Sequence, residues 1–257
     1  MSSIFQPQWS SAPLSFTLPV GEVHIWRASL DLAPLQIQAF VQTLTTDELQ
    51  RAERFRFEHD RRRFIAGRGT LRAILGRYLN LEPAQIRFRY EASGKPTIAP
   101  STPHSPPPTP YLQFNLSHSH ELMVCAITQT YPVGIDLEHL RPITDLEGLT
   151  RRFFSEREHL AIQQLPEKQQ MRSFFQHWTC KEALLKATGD GLIDLSKIEV
   201  AIAGGKASLT AWAEKNHLPD HWSLHPFTPD PNYIAALAVK ISDLAEPEPL
   251  QMIFWNW

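Results

Sequence analysis

The sequence predicts an α+β, sandwich-like fold of two similar halves, each a small, mostly antiparallel sheet packed with one long helix. A helix, a leucine-rich link, a strand, a glycine-lysine turn and two further strands occur in this order twice along the 257 residues. The spacing is regular, since Met123–Ile127 and Ile234–Ala238 lie 111 positions apart. Such a duplication predicts a pseudo-twofold relation between residues 1–130 and 131–257, with a ligand groove between the halves.

The elements of the N-terminal half follow from hydrophobic periodicity and from helix-end signals. Its helices are expected near Leu35–Leu44, from a cap at Thr45 or Thr46 toward Phe55, and from a cap at Asp60 to Tyr78. Its strands are expected at Val23–Ser29, Ile86–Tyr90, Tyr111–Leu116 and Leu122–Thr128. Six prolines between positions 100 and 110 predict a loop, because neither a helix nor an inner strand accepts them.

The C-terminal half repeats this succession after a strand at Val133–Glu138. Its helices are expected near Leu146–Phe154, Glu156–Gln164 and Gln169–Ala187. Its further strands are expected at Ile198–Ala203, Ala207–Trp212, His221–Pro226 and Tyr233–Lys240. The aromatic C-terminal run from Pro247 to Trp257 is expected to pack back onto the body, since a free run of this kind would promote aggregation.

The helix at Gln169–Ala187 carries charges that a helix used only for packing does not need. Trp178, Glu182 and Lys186 recur at helical spacing, so an indole, a carboxylate and an ammonium lie on one face. Gly189 follows the helix and is typical of a left-handed C-terminal cap. The alternative is a surface Glu–Lys pair that contributes about 0.3–0.5 kcal/mol.

The strand Val133–Glu138 ends in two acids that point to one side. Asp136 and Glu138 are two positions apart, whereas Ile135 and Leu137 alternate to the other face. Two neighbouring carboxylates repel each other, and hard oxygen ligands favour magnesium or manganese over zinc. A divalent metal with Glu182 as third carboxylate reconciles these observations, and acids exposed to water at a strand end are the alternative.

Four motifs in order resemble those of the 4′-phosphopantetheinyl transferases, in the larger, broad-specificity type that activates surfactin synthetase. The motifs are Gly94-Lys95-Pro96, Asn115-Leu116-Ser117-His118-Ser119, Gly134-Ile135-Asp136-Leu137-Glu138, and Trp178-Thr179-Cys180-Lys181-Glu182-Ala183 with Lys186. The resemblance extends from about Leu49 to about Ser242. It implies the two-half fold, and a second half in place of a homodimer partner implies a monomer.

The resemblance implies magnesium-dependent transfer of 4′-phosphopantetheine from coenzyme A to a serine of an acyl or peptidyl carrier protein, with release of 3′,5′-ADP. Asp136, Glu138 and Glu182 are implied to bind magnesium, or manganese in its place. Glu182 is also implied as the base for the serine, and Lys186 as assisting the phosphate or the departing 3′,5′-ADP. The implied coenzyme A contacts are Arg51, Arg63, Lys95, Pro96, Ser117, His118, Lys181 and Lys186.

These residue types suit that chemistry. Attack of a serine oxygen on the β-phosphate of coenzyme A is a phosphoryl-type displacement, in which positioning and charge neutralisation supply most of the catalysis. A serine hydroxyl is a weak nucleophile near neutral pH, so a carboxylate within hydrogen-bond reach, or one water away, serves as general base. The carriers implied are those of fatty-acid, polyketide and peptide synthases.

Two other functions remain open. Nine arginines between Arg51 and Arg77 face only three acids, an excess of positive charge that suits an anionic partner or a solvated helix face. A nucleic-acid-binding module is one alternative, which the net charge of −2 disfavours. An inactive carrier-binding paralogue is the other, which the intact set of acids and Lys186 disfavours.

Composition favours a soluble cytoplasmic enzyme that binds neither membranes nor nucleic acid. The hydrophobic content of 42% can fill a core, and no opening hydrophobic run has signal-peptide or membrane-spanning length. The two cysteines, Cys125 and Cys180, suggest neither a disulfide framework nor a metal spacing. His118 and His120 fall on one strand face, but no third soft ligand at a recognisable spacing accompanies them to favour zinc.

Overall fold

The chain folds into four layers: a long helix, a sheet, a second sheet and a second long helix. The computed structural model describes residues 4–13, 17–100, 112–129, 131–190, 195–213, 221–241 and 250–257. Its helices are α1 (Pro34–Val41), α2 (Thr46–Glu53), α3 (Glu58–Leu79), α4 (Leu146–Phe153), α5 (Glu156–Gln163) and α6 (Glu167–Thr188). Its strands are β1 (Ser10–Ser11), β2 (Glu22–Ser29), β3 (Phe88–Tyr90), β4 (Pro96–Ile98), β5 (Gln113–Ser119), β6 (Leu122–Thr128), β7 (Val133–His139), β8 (Ile198–Ala203), β9 (Lys206–Trp212), β10 (Trp222–Phe227), β11 (Tyr233–Lys240) and β12 (Gln251–Asn256).

Two five-stranded sheets have the orders β1-β12-β2-β6-β5 and β7-β11-β10-β9-β8, and β3 and β4 form a separate hairpin. The strand β12 pairs in parallel with both β1 and β2. The described part of the aromatic C-terminal run, residues 250–257, therefore packs onto the body, as predicted, and it does so through a strand of the first sheet. The last strand of the chain thus belongs to the same sheet as β2, β5 and β6.

Period-2 alternation divides the apolar residues of the strands between three layers of core. In β2, Trp26 and Ala28 contact the residues of α3, whereas Val23 and Ile25 face the second sheet. In β11, Ala236 and Ala238 contact α6, whereas Leu237 lies between the sheets. Each sheet therefore buries one face under its own long helix and the other face against the other sheet.

The succession of elements confirms the predicted α+β fold with two similar halves. A strand, two short helices, a 22-residue helix, a 3-10 turn and further strands occur in this order from β2 and again from β7. The strand neighbours β2-β6-β5 correspond to β7-β11-β10. The assignment of residues 1–130 and 131–257 to separate halves stays a prediction.

A buried ion pair recurs at the equivalent place in each half. Arg72 of α3 donates to Glu48 Oε2 at 2.7–2.9 Å, and Lys181 of α6 donates to Glu158 Oε2 at 2.6 Å. Each acid is the third residue of a short helix. Its carboxylate also accepts a hydrogen bond from the backbone N–H of the N-cap residue of that helix. The spacing of 109–110 residues between corresponding partners supports the duplication independently of the strand patterns.

One of two predicted helix caps is confirmed, and the other lies one turn away from its predicted position. Thr45 caps α2 as predicted, but α3 begins at Glu58 after Phe57 and not after Asp60, which lies in its first turn. Acidic residues are favourable in a first turn as well as at a cap, so the sequence signal was displaced by one turn.

Positions 101–110 of the predicted proline loop lie outside the described residues. Among the helices of the described ranges, none has the length and apolar content needed to cross a membrane.

Candidate active site

Helix α6 lies directly against strand β7, and Gly134 makes this close approach feasible. A Cβ atom at position 134 would overlap the carbonyl oxygen of Ala183 and the amide nitrogen of Ala187. Because these are backbone atoms of α6, they cannot rotate away as a side chain could. Glycine at this position therefore sets how near the charged face of α6 comes to the acids of β7.

Asp136 is the buried carboxylate of the site. Its Oδ1 accepts hydrogen bonds from Lys186 Nζ at 2.6 Å and from Ser117 Oγ at 3.0 Å. Its Oδ2 is buried and has no hydrogen-bond partner in the part of the chain that the structure describes. A buried carboxylate oxygen without a donor is costly, so this oxygen marks a place where a ligand can bind.

Glu138 lies two positions along β7 from Asp136, as the period-2 pattern predicts. The alternating residues Ile135 and Leu137 belong to the core between the sheets, which confirms the predicted division of faces. Glu138 Oε2 accepts hydrogen bonds from Arg141 Nη1 at 2.8 Å and from Ser119 Oγ at 3.3 Å.

The sequence assigned no role to Ser119 or Arg141. The available signal was the alternation of Asn115, Ser117 and Ser119 along β5, which places three short polar side chains on one face of a strand.

Glu182 and Lys186 lie one turn apart on α6 and are both half-buried, while the apolar residues between them, Ala183–Leu185, are buried. Burial raises the pKa of Glu182, the charges of Asp136 and Glu138 raise it further, and the charge of Lys186 opposes this rise. The helix ends at Gly189, whose φ of +73° is left-handed, as predicted. The three predicted carboxylates are thus within electrostatic range of one another, with the Lys186 ammonium among them.

A cavity of about 390 Å³ lies where the β3–β4 hairpin, β5 and α6 meet, and Lys95, Asn115, Glu182 and Lys186 line it. Lys95 Nζ donates to the carbonyl oxygens of Val133 at 3.2 Å and Ala187 at 3.1 Å. Burial lowers the pKa of Lys95. The structure therefore places Lys95 at the predicted site, and its ammonium holds the hairpin against the end of α6 and the start of β7.

His118 and Arg63 lie near this cluster. The pKa of His118 is lowered by desolvation first and then by the positive charges of Lys186 and Arg63, so the three groups are neighbours. Arg63 Nη2 lies 3.4 Å from Glu121 Oε1, a long and partly exposed contact. A weak ion pair of this kind leaves the guanidinium available to an anion.

Arg51 lines a different cavity, of about 580 Å³, together with Arg54 and Tyr90. Its guanidinium lies 5.4 Å from the centre of the Phe64 ring. Pro96 follows Lys95 as the first residue of β4 and is half-buried. The phosphate contacts predicted for Arg51 and Pro96 stay predictions.

Lys181 does not lie at the site, which corrects its assignment as a coenzyme A contact. Its side chain is completely buried, and its ammonium donates to Glu158 Oε2 and, at 3.1 Å, to the carbonyl oxygen of Leu195. The adjacent position on a helix points about 100° away from Glu182, toward the layer of α5 and β8. Lys181 is a structural residue, equivalent to Arg72 in the first half.

Replacing Lys181 by methionine is expected to lower the free energy of unfolding by about 3–5 kcal/mol, because Glu158 would remain buried without its cation. Urea denaturation measures the loss. Arg151→Met is the matched control, since the exposed Arg151–Glu147 pair contributes about 0–1 kcal/mol. Equal losses in the two variants would contradict the structural role of Lys181.

The donor set suits a hard divalent cation, although the structure does not assemble it. Among the described residues, no group of three or more histidine, cysteine, aspartate or glutamate side chains is arranged to hold a metal ion. Lys186 and Arg141 supply the positive charge to Asp136 and Glu138 instead. The buried, unpartnered Asp136 Oδ2 and the proximity of Glu182 fit magnesium, and the metal assignment stays a prediction.

Carboxylates and lysines beside a cavity, in a fold of two repeated α+β halves, are the groups that an enzyme acting on phosphate groups requires. Residues 132–238 match the family described as 4′-phosphopantetheinyl transferase superfamily, and residues 26–130 match 4′-phosphopantetheinyl transferase, N-terminal. The 4′-phosphopantetheinyl transferase HetI of Nostoc sp. is 47% identical over 92% of this chain and 95% of its own. The transferase psf-1 of Bacillus pumilus is 34% identical over 82% of this chain and 85% of its own.

The chain belongs to the 4′-phosphopantetheinyl transferase superfamily, and it is an enzyme of that type. Among solved structures, the Chronobacterium ammoniagenes ACPS-CoA complex is 23% identical, with a TM-score of 0.34, and covers 43% of this chain and 96% of that one.

Proposed function

We propose that this enzyme transfers the 4′-phosphopantetheine group of coenzyme A to a serine of acyl or peptidyl carrier domains and releases 3′,5′-ADP. The observation that carries the proposal is that Glu182 and Lys186 line one cavity, and that Lys186 donates to the buried Asp136, in a chain of this family. We further propose that the enzyme acts as a monomer in the cytoplasm, since its own second half takes the place of a partner.

The proposed metal ligands are Asp136, Glu138 and Glu182. A magnesium ion held there would neutralise the pyrophosphate of coenzyme A and polarise the phosphorus that is attacked. Manganese presents the same charge to the same oxygen ligands and would replace it. Lys186 would share its ammonium between Asp136 and a phosphate oxygen as substrate binds, because its side chain is partly exposed beside the cavity.

Glu182 accepts the proton of the carrier serine in this proposal. Its raised pKa brings its basicity closer to neutral pH, where a general base is most effective. Lys186 compensates the charge that develops on the departing 3′,5′-ADP. On the first half, Arg63, Ser117 and His118 form the proposed surface for the phosphates and adenine of coenzyme A, together with Lys95, Pro96 and Arg51.

Incubation of the protein with coenzyme A, magnesium chloride and apo carrier domains from fatty-acid, polyketide and peptide synthases tests the proposal. We expect a mass increase of the carrier equal to one phosphopantetheine, seen by intact-protein mass spectrometry, and its loss when EDTA replaces magnesium. Manganese chloride should restore the product. Absence of modification on every carrier type would refute the proposal, and binding of carriers without modification would favour an inactive paralogue.

A further inference from the structure

Three polar side chains of β5 connect the edge of the first sheet to the edge of the second. Asn115 Oδ1 accepts the backbone N–H of Ile135 at 2.9 Å, Ser117 Oγ lies 3.0 Å from Asp136 Oδ1, and Ser119 Oγ lies 3.3 Å from Glu138 Oε2. The three positions alternate along β5 and meet β7 in the same order. Each acid of β7 therefore has one serine of β5 beside it.

The direction of each serine hydroxyl is fixed by its other partner. Lys186 Nζ lies 2.9 Å from Ser117 Oγ, and the backbone N–H of His139 lies 3.0 Å from Ser119 Oγ. An ammonium and a backbone N–H can only donate, so both serine oxygens act as acceptors toward them. The single hydrogen of each hydroxyl must then point to the carboxylate. Each serine hydroxyl therefore accepts one hydrogen bond from an N–H group and donates one to a carboxylate.

In the part of the chain that the structure describes, these bonds leave one oxygen of each carboxylate without a protein donor. Both donors to Asp136 converge on Oδ1, and its buried Oδ2 has none within the described residues. Both donors to Glu138, Ser119 and Arg141, converge on Oε2. Two hydrogen bonds to one oxygen restrict the rotation of a carboxylate, and its second oxygen stays open to a cation.

We propose that Ser117 and Ser119 are positioning residues, through which the first half of the chain orients the two strand carboxylates of the second half toward a divalent cation. This inference rests on the proposed function and assigns Ser117 a role different from direct phosphate binding. Ser119 gains a role that neither its sequence motif nor its exposure indicates. Outer-sphere hydrogen bonds to metal-binding carboxylates typically change metal affinity 10- to 100-fold.

A purely structural role is the competing explanation, since hydrogen bonds between two sheet edges also stabilise the packing. Such a role predicts a loss of stability in Ser117→Ala and Ser119→Ala, with unchanged affinity for the cation. A role in orienting the carboxylates predicts weaker binding of the cation with unchanged stability. Metal affinity and thermal stability therefore have to be measured on the same samples.

The experiment titrates MnCl2 into the protein saturated with coenzyme A and follows free Mn²⁺ by electron paramagnetic resonance. We expect about tenfold weaker Mn²⁺ binding in Ser117→Ala and in Ser119→Ala, with coenzyme A affinity measured separately by calorimetry without metal. Ser119→Thr keeps the hydroxyl on a half-exposed strand position and should restore the wild-type affinity. Ser223→Ala removes a half-buried strand serine that contacts His225 and serves as the control.

Each result of these measurements either supports or overturns the positioning role of the two serines. Weaker Mn²⁺ binding at an unchanged melting temperature, restored by threonine, supports the positioning role. Wild-type Mn²⁺ affinity in both alanine variants overturns it and leaves the proposed transferase function intact. An effect of Ser117→Ala on coenzyme A affinity alone also overturns it, in favour of direct phosphate binding. A wild-type protein that modifies carriers without binding Mn²⁺ overturns it as well, and the carrier mass assay judges the function separately.

Discussion

Replacing Glu182 by glutamine is expected to slow modification of a carrier protein by a factor of about 10²–10⁴, the range that a general base contributes. Glutamine keeps the shape of the side chain, lines the same cavity and removes only the ability to accept the serine proton and to carry charge. Because the same carboxylate is a proposed metal ligand, the metal concentration required for half-maximal rate should rise as well. Initial rates measured by carrier mass, over a series of magnesium concentrations, record both effects.

The stability of this variant separates chemistry from folding. The pKa of Glu182 is raised in the folded protein, chiefly by burial and by Asp136. A raised folded-state pKa means that the stabilising contribution of the carboxyl is present below its unfolded pKa and is lost as pH rises through the folded value. At pH 7 and without metal, Glu182→Gln should therefore be at least as stable as the wild type. A lowered melting temperature would contradict this.

Glu156→Gln is the control for Glu182→Gln, since Glu156 is an exposed glutamate in the first turn of α5. We expect it to retain the wild-type rate and metal requirement. A wild-type rate in Glu182→Gln would remove Glu182 from the mechanism and leave the transferase activity itself standing.

Local periodicity predicted the faces of the site correctly. The two-residue period of β7 placed Asp136 and Glu138 opposite Ile135 and Leu137, and the helical period of α6 placed Glu182 and Lys186 together. These predictions held because alternation follows from backbone geometry, which distant contacts do not change. Periodicity does not predict which residues contact those faces, because these contacts depend on which elements pack together.

Contacts between segments that are distant along the chain could not be predicted from the sequence. The partner of Lys181 is Glu158, on another helix, so the motif suggested a ligand where the fold has a buried ion pair. The strand β12 finds its neighbours β1 and β2 at the opposite end of the chain, and its six residues show no turn or hairpin signal to predict that pairing. The short strand β4 begins at Pro96, which disfavours a strand prediction even though an edge strand accepts proline.

The site depends on the contact between the two halves more than on either half. Lys95 joins the β3–β4 hairpin to carbonyl oxygens at Val133 and Ala187, and Ser117 joins β5 to Asp136. Duplication explains how such a site arises, since two copies of one unit keep similar packing while their surface residues diverge. Each copy has a buried ion pair at the equivalent place, Arg72–Glu48 in the first and Lys181–Glu158 in the second. The three carboxylates of the site and Lys186 belong to the second copy.

Replacing Gly134 by alanine is expected to damage both folding and catalysis. The added Cβ would overlap the backbone of α6 at Ala183 and Ala187, so the helix must move away from β7. Overpacking of a core typically costs about 1–3 kcal/mol, and a clash with backbone atoms at two positions of α6 belongs at or above the upper end. The same displacement carries Glu182 and Lys186 away from Asp136, and a misplacement of about 1 Å can cost about 100-fold in rate.

Denaturation with urea and initial rates of carrier modification under fully folded conditions separate the two effects of Gly134→Ala. Gly67→Ala is the control, because Gly67 lies in the long helix of the other half and a Cβ there would meet only a Leu30 methyl group at 3.6 Å. Alanine is the better helix former, so this variant should gain about 0.8–1 kcal/mol and keep its rate. If Gly134→Ala instead retained wild-type stability and rate, the close approach of α6 to β7 could not be what positions Glu182 and Lys186.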